Sequence, residues 1–167
     1  MELLAELAAR RDIADCVHRY MRGLDRLDRA CVLSAFHPDA RVDCGLMAGN
    51  PAAFADFALD LLAGMEATHH MLGQVRIVME SDGTATGESY FQAWHDVRGE
   101  DGSVRDLFIA GRYLDRYTVA DGAWRIAART LVTDWSIEAA GDRSFFTANP
   151  DAPRGGRRGE DPSELRG

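Results

Sequence analysis

Three Asp-Gly pairs, Asp82-Gly83, Asp101-Gly102 and Asp121-Gly122, punctuate the second half of the chain. Each separates two long β-rich runs, and Asp-Gly supplies the positive φ angles that tight antiparallel hairpins need. The runs 69–80, 84–98, 104–119 and 123–137 therefore read as strands of one antiparallel meander. The first part of the chain has another period. Leu3, Leu4, Leu7, Ile13, Val17, Tyr20 and Met21 recur at three- and four-residue spacing, which predicts a helix over 2–21 with Gly23 as its stop. Residues 28–35 predict a second short helix closing on Phe36. His37-Pro38-Asp39 reads as a turn, because Pro disfavours helical backbone before it. Residues 40–44 read as a brief extended piece. Asn50-Pro51 reads as an N-cap with Pro at the first helical position, opening a helix to Gly64.

Helices first and strands afterwards specify an α+β fold, with helices packed on one face of a curved sheet. The 167 residues fit one core. Residues 1–140 form that domain, and residues 141–167, rich in Gly, Pro, Asp and Arg, form a polar tail expected to be loop or disordered. The strands carry apolar residues in both phases, such as Leu107 and Ile109 against Phe108 and Ala110. Both sheet faces are thus expected to be covered, one by the helices and the other by a second subunit of a homodimer or homotrimer.

All 19 basic residues are Arg, and the net charge is -8. Without Lys there is no Schiff-base chemistry and no phosphate loop of the GxxxxGK[ST] type. The acidic balance argues against nucleic acid as a partner. Cys16, Cys31 and Cys44 are widely spaced and odd in number, which argues against a thiolate metal site or a disulfide framework and for a reducing cytoplasm. No apolar run is long enough to span a bilayer, so no membrane partner is expected.

Among candidate chemical groups, Asp25 follows the predicted helix end, where a bare turn aspartate is the ordinary reading. His69 and His70 open the first long run, and period-2 geometry sends them to opposite faces. Adjacent histidines diverge and make a poor metal site, so no metal is expected. His95 shares a strand phase with Phe91 and Ala93. Arg112 and Arg129 each sit within an apolar strand phase, where a buried guanidinium needs a partner. Glu88, Asp115 and Asp134 are the candidate carboxylates, and a role in stabilising substrate negative charge is the functional alternative.

The order of the pieces is similar to the SnoaL-like family, within the nuclear-transport-factor-2-like superfamily. The residues that carry the likeness are Tyr20-Met-Arg-Gly-Leu-Asp25-Arg-Leu-Asp28, Phe36-His-Pro-Asp-Ala40, His69-His-Met-Leu-Gly-Gln74, Glu88-Ser-Tyr-Phe91, Gly111-Arg-Tyr-Leu-Asp115, Gly122-Ala-Trp-Arg-Ile126, Arg129 and Asp134-Trp135. The resemblance implies a cone-shaped α+β barrel. Its superfamily holds dehydratases, a dehydrochlorinase, isomerases, cyclases and non-catalytic dioxygenase β-subunits. The dehydratase pattern falls on Asp25 and His70 as a dyad, with Tyr20 and Arg129 as supporting catalytic groups.

That dyad implies proton abstraction from carbon. His70 acts as base, since an ordinary imidazole, with pKa about 6.5, is largely neutral at pH 7. Asp25 holds the tautomer, Tyr20 donates to a leaving oxygen, and Arg129 stabilises an enolate or phenolate. Loss of water, halide or formaldehyde would make the chain a lyase that needs no cofactor. An isomerase or cyclase with the same dyad, and a non-catalytic β-subunit-like module, are the alternatives. His69, Tyr90, Trp94, Phe54, Phe108, Arg112 and Trp135 are the candidate substrate contacts, suited to a cyclic or aromatic hydroxylated small molecule and to the breakdown of aromatic compounds.

Overall fold

The structure, a computed structural model, describes residues 2–165. The last two positions of the expected tail, 166 and 167, lie outside the described residues. Helix α1 runs Leu3–Arg26, further than its sequence signals suggest. Gly23 does not stop it. A Cβ at Gly23 would come within 2.7 Å of Val32, so this glycine lets α2 (Arg29–Ser34) lie close against α1. The helix ends instead at Leu27, whose φ of 51° is left-handed. Asp28 then caps α2, accepting a hydrogen bond from the Cys31 backbone N–H at 2.9 Å.

Strand β1 spans Phe36–Asp43, where a turn was expected at His37-Pro38-Asp39. Pairing with the last strand overrides the local signal. The ladder slips between Phe36 and Arg41, so the three residues form an irregularity within the strand. Pro38 offers no ladder donor, and the Asp39 N–H turns back to His37 Nδ1 at 3.1 Å. Next come β2 (Ala48–Gly49) and α3 (Pro51–Ala63). Asn50 caps α3 through the Ala53 N–H at 2.9 Å, as its sequence implies.

The four long strands are β3 (Ala67–Met79), β4 (Ala85–Arg98), β5 (Val104–Ala120) and β6 (Ala123–Ala140). They form the expected meander, and each Asp-Gly pair lies in a hairpin loop. The tightest is the two-residue turn of Asp121 (φ 50°) and Gly122 (φ 75°). The six-stranded sheet has the order β2-β1-β6-β5-β4-β3 and is antiparallel except where β1 runs parallel to β6. Helices packed on one face of this curved sheet make the fold α+β.

The core lies between helices and sheet. Ile13, Val17, Tyr20 and Leu24 of α1 and Phe54 and Leu62 of α3 meet Phe36, Phe91, Tyr113, Tyr117 and Ile126 of the sheet. Leu3, Leu4 and Leu7, whose spacing also marks the helix, are exposed and lie outside this core. On the outer face Trp94, Phe108 and Trp135 stack in sequence, their ring centroids 4.3 and 5.0 Å apart. No helix among the described residues is long and apolar enough to cross a membrane.

A short helix, α4 (Ser144–Ala148), follows β6, and residues 154–164 return to dock on the C-terminal end of α1. Asp161, only 4% exposed, shapes the returning segment by accepting hydrogen bonds from the backbone N–H groups of Gly156 (2.8 Å) and Ser163 (2.9 Å).

Candidate active site

Asp25 stands in the last turn of α1, and β3 passes beside it. Its Oδ2 accepts the His70 backbone N–H at 2.9 Å. Its Oδ1 takes the His70 ring Nδ1 at 2.7 Å and the Thr68 hydroxyl at 3.0 Å. The backbone bond fixes β3 to the helix end and sets the imidazole in front of the carboxylate. Alternation along β3 then places His70 inward and His69 outward, opposite Trp94 on the outer face. Burial pushes the Asp25 carboxyl up. The hydrogen bonds from His70 and Thr68 outweigh it and hold the carboxyl below its ordinary range. An ionised carboxylate has no proton to give, so Nδ1 carries a ring hydrogen, and in the neutral ring Nε2 is the nitrogen with the lone pair.

His95 completes this constellation. It is 6% exposed, its ring lies 5.5 Å from that of His70, and its Nδ1 is 3.1 Å from the Leu107 carbonyl. Burial pushes its pKa down, so it faces His70 uncharged at neutral pH. The signal for it in the sequence was its strand phase, shared with Phe91 and Ala93. A carbonyl accepts only from an N–H, so the Leu107 contact puts the hydrogen on His95 Nδ1 and leaves this ring, too, with a free Nε2.

Tyr20 and Arg129 form a separate, fully buried cluster. Arg129 donates from Nε and Nη2 to Asp115 at 2.7 and 2.6 Å. Its guanidinium carbon lies 4.2 Å from the ring centroids of both Tyr20 and Tyr113. Tyr117 donates to the same Asp115 at 2.7 Å. The Arg129 charge is thus already matched by Asp115, and burial raises the Tyr20 pKa, which makes that phenol a weaker acid than usual. Phe54 stacks on Tyr20 with centroids 6.0 Å apart, as part of the core.

With His69, six of the expected substrate contacts lie on the other side of the sheet. Tyr90 and Trp94 alternate outward on β4, and their β5 partners Arg112 and Phe108 share that face, as does Trp135 of β6. Arg112 is engaged there by Glu88 at 3.0 Å and Asp134 at 2.8 Å. The sequence placed these residues in the pocket because they are aromatic or charged, yet the phase that carries Phe91 and His95 inward turns its neighbours outward. A cavity of about 890 Å³ opens instead at the rim, between Asp25, Leu27, Thr68 and the tail residues Phe146, Arg154 and Arg157.

The pattern of the SnoaL-like domain family matches residues 5–130. The chain belongs to the SnoaL-like domain family. This family falls in the nuclear-transport-factor-2-like superfamily. Solved structures repeat its fold. The hexachlorocyclohexane dehydrochlorinase LinA superimposes with a TM-score of 0.76 at 22% identity, over 85% of this chain and 97% of that one. The LinA-type3 dehydrochlorinase of Novosphingobium barchaimii gives 0.75 at 19% identity, over 84% and 97%. A candidate scytalone dehydratase of Novosphingobium aromaticivorans gives 0.70 at 21% identity, over 82% and 91%. No curated protein matches the sequence. In this SnoaL-like chain the shared fold therefore fixes the architecture, and the chemistry rests on the side chains just described.

Proposed function

We propose that this SnoaL-like protein is a cofactor-independent lyase, in which His70 removes a proton from carbon and a leaving group departs from the adjacent carbon. One observation carries this reading: the 2.7 Å bond between Asp25 and His70 Nδ1, which makes Nε2 the basic nitrogen of the neutral ring. A base needs a free lone pair, a fixed tautomer and a partner for the imidazolium it becomes, and Asp25 supplies the last two. The enzymes named among the similar structures, dehydrochlorinase and dehydratase, catalyse eliminations of this type, which supports an elimination of water or halide here. His95, neutral and beside His70, offers its free Nε2 as an acceptor for a substrate hydroxyl. Tyr20 and Arg129 then act as the buried brace that holds α1 on the sheet, and not as acid and oxyanion partner.

The substrate class that the family resemblance implies is a cyclic or aromatic hydroxylated compound. Expected outcome: with such a compound as substrate, His70→Ala and Asp25→Asn each lower kcat by about 100-fold or more while circular dichroism is unchanged. Wild-type turnover in both folded variants would end the reading. The outer stripe of Trp94, Phe108 and Trp135 favours a second reading, a non-catalytic assembly module that docks through the sheet. Copurification with a larger catalytic subunit, with no turnover by the isolated chain, would select it.

A further inference from the structure

The returning tail carries Arg157 to the edge of the dyad. Its Nη1 donates to two carbonyls at the end of α3, Leu62 at 3.1 Å and Met65 at 2.8 Å. Its Nη2 donates to the Thr68 hydroxyl at 3.1 Å. A hydroxyl has one proton to give. With the guanidinium on its acceptor side, Thr68 directs that proton to Asp25 Oδ1. The same tail segment is tied to the residue next to Asp25, since the Arg158 N–H donates to the Arg26 carbonyl at 2.8 Å and Asp161 pairs with the Arg26 guanidinium at 3.3 Å. Two attachments of this segment therefore land on neighbours of Asp25, Thr68 in space and Arg26 in sequence.

We propose that Arg157 is a positioning residue for the dyad, acting along the chain Arg157–Thr68–Asp25–His70, so that the tail is part of the site and not an appendage to it. The proposal rests on the reading of Asp25 and His70 as the working pair. The competing role is simpler. The carbonyls at the end of a helix lack intrahelical partners, and an arginine that satisfies them caps the helix and no more. Geometry favours the larger role, because capping α3 does not require the third bond. Nη2 leaves the helix end and reaches the one hydroxyl that holds Asp25. Arg157 is half-buried, burial lowers its pKa, and the nearby Asp25 charge works against that loss. Each group thereby favours the charged form of the other.

The test uses the full chain without substrate, labelled with ¹⁵N-histidine and ¹⁵N-tryptophan, and reads the exchange with water of the His70 Nδ1–H that points at Asp25. Arg157→Ala and Thr68→Val are each expected to speed that exchange by about tenfold or more, the result of weakening one link in a buried hydrogen-bond chain by roughly one ordinary bond. Arg157→Lys, which keeps the charge and one donor, is expected to recover part of the protection. The Trp124 indole N–H reports on the fold away from the tail segment and is expected to stay at its wild-type rate. Acceleration in Thr68→Val but not in Arg157→Ala would overturn the proposal, as would equal acceleration of His70 and Trp124, which signals general loosening. Should His70→Ala retain turnover while Arg157→Ala still exposes the Nδ1–H, the catalytic reading fails and the positional one stands.

Discussion

Asp25 and His95 make the same demand on the protein from opposite chemical directions. The folded state holds the Asp25 carboxyl below its ordinary range, so the unfolded chain takes up that proton first as the pH falls. The folded state also holds the His95 imidazole below its ordinary value through burial, so again the unfolded chain is protonated first. In both cases stability is present at neutral pH and is lost on acidification. The His95 share goes as pH drops below about 6.5, and the Asp25 share goes below about 4, the values of the unfolded groups. Urea midpoints measured from pH 7.5 to 3.5 are expected to fall with two separable contributions. His95→Asn should flatten the upper part, and Asp25→Asn the lower. A midpoint that rises on acidification would contradict the burial of both groups. At this scale the residues alone left Asp25 as a turn aspartate, and only the family resemblance put it beside His70. For Arg129 the sequence offered three carboxylates without choosing among them, because the choice depends on strand register: Asp115 faces it across β5 and β6, below a bulge between Ala110 and Gly111.

Elements were readable where the signal is local and blurred where contact is distant. The Asp-Gly loops and the Asn50-Pro51 cap act within four residues, and they stand where their chemistry puts them. Gly23 was misread because glycine has two uses, to stop a helix and to let another chain approach, and only the fold shows which applies. The His37-Pro38-Asp39 segment was misread because pairing with β6 recruits it into a strand. The hairpin between β5 and β6 isolates one of these effects. A Cβ at Gly122 would meet nothing within 4 Å, so Gly122→Ala tests backbone conformation alone at φ 75°. It is expected to cost about 1–2 kcal/mol, the penalty of left-handed backbone for an L-residue, measured by urea unfolding. Asp121→Asn in the same turn should be nearly neutral, since Asn tolerates the left-handed region well.

For the whole molecule, the faces of the sheet were the part that the sequence left open. Both strand phases are apolar, and only the helices decide which one becomes the core. The rejected phase leaves Trp94 at 42% and Trp135 at 49% exposure around Phe108. Aromatic surface of that kind, continuous across three strands, is a cost in water unless it is covered. We expect a second copy of the chain to cover it. Light scattering at micromolar concentration should give the mass of two or three chains, and Trp94→Ser combined with Trp135→Ser should move it toward one. A wild-type mass of a single chain would refute this.

The parallel contact between β1 and β6 has a kinetic consequence. It ties the first strand of the chain to the last, so the edge of the sheet closes only after the entire meander has formed. Such distant pairing requires a large loop to be closed before any contact rewards it. Refolding should therefore show its slowest conformational phase in signals from β1, with the β3–β5 hairpins protected earlier. Until that phase ends, β6 carries an unpaired edge that another chain can find, which makes dilution during refolding a practical condition for recovering the native protein.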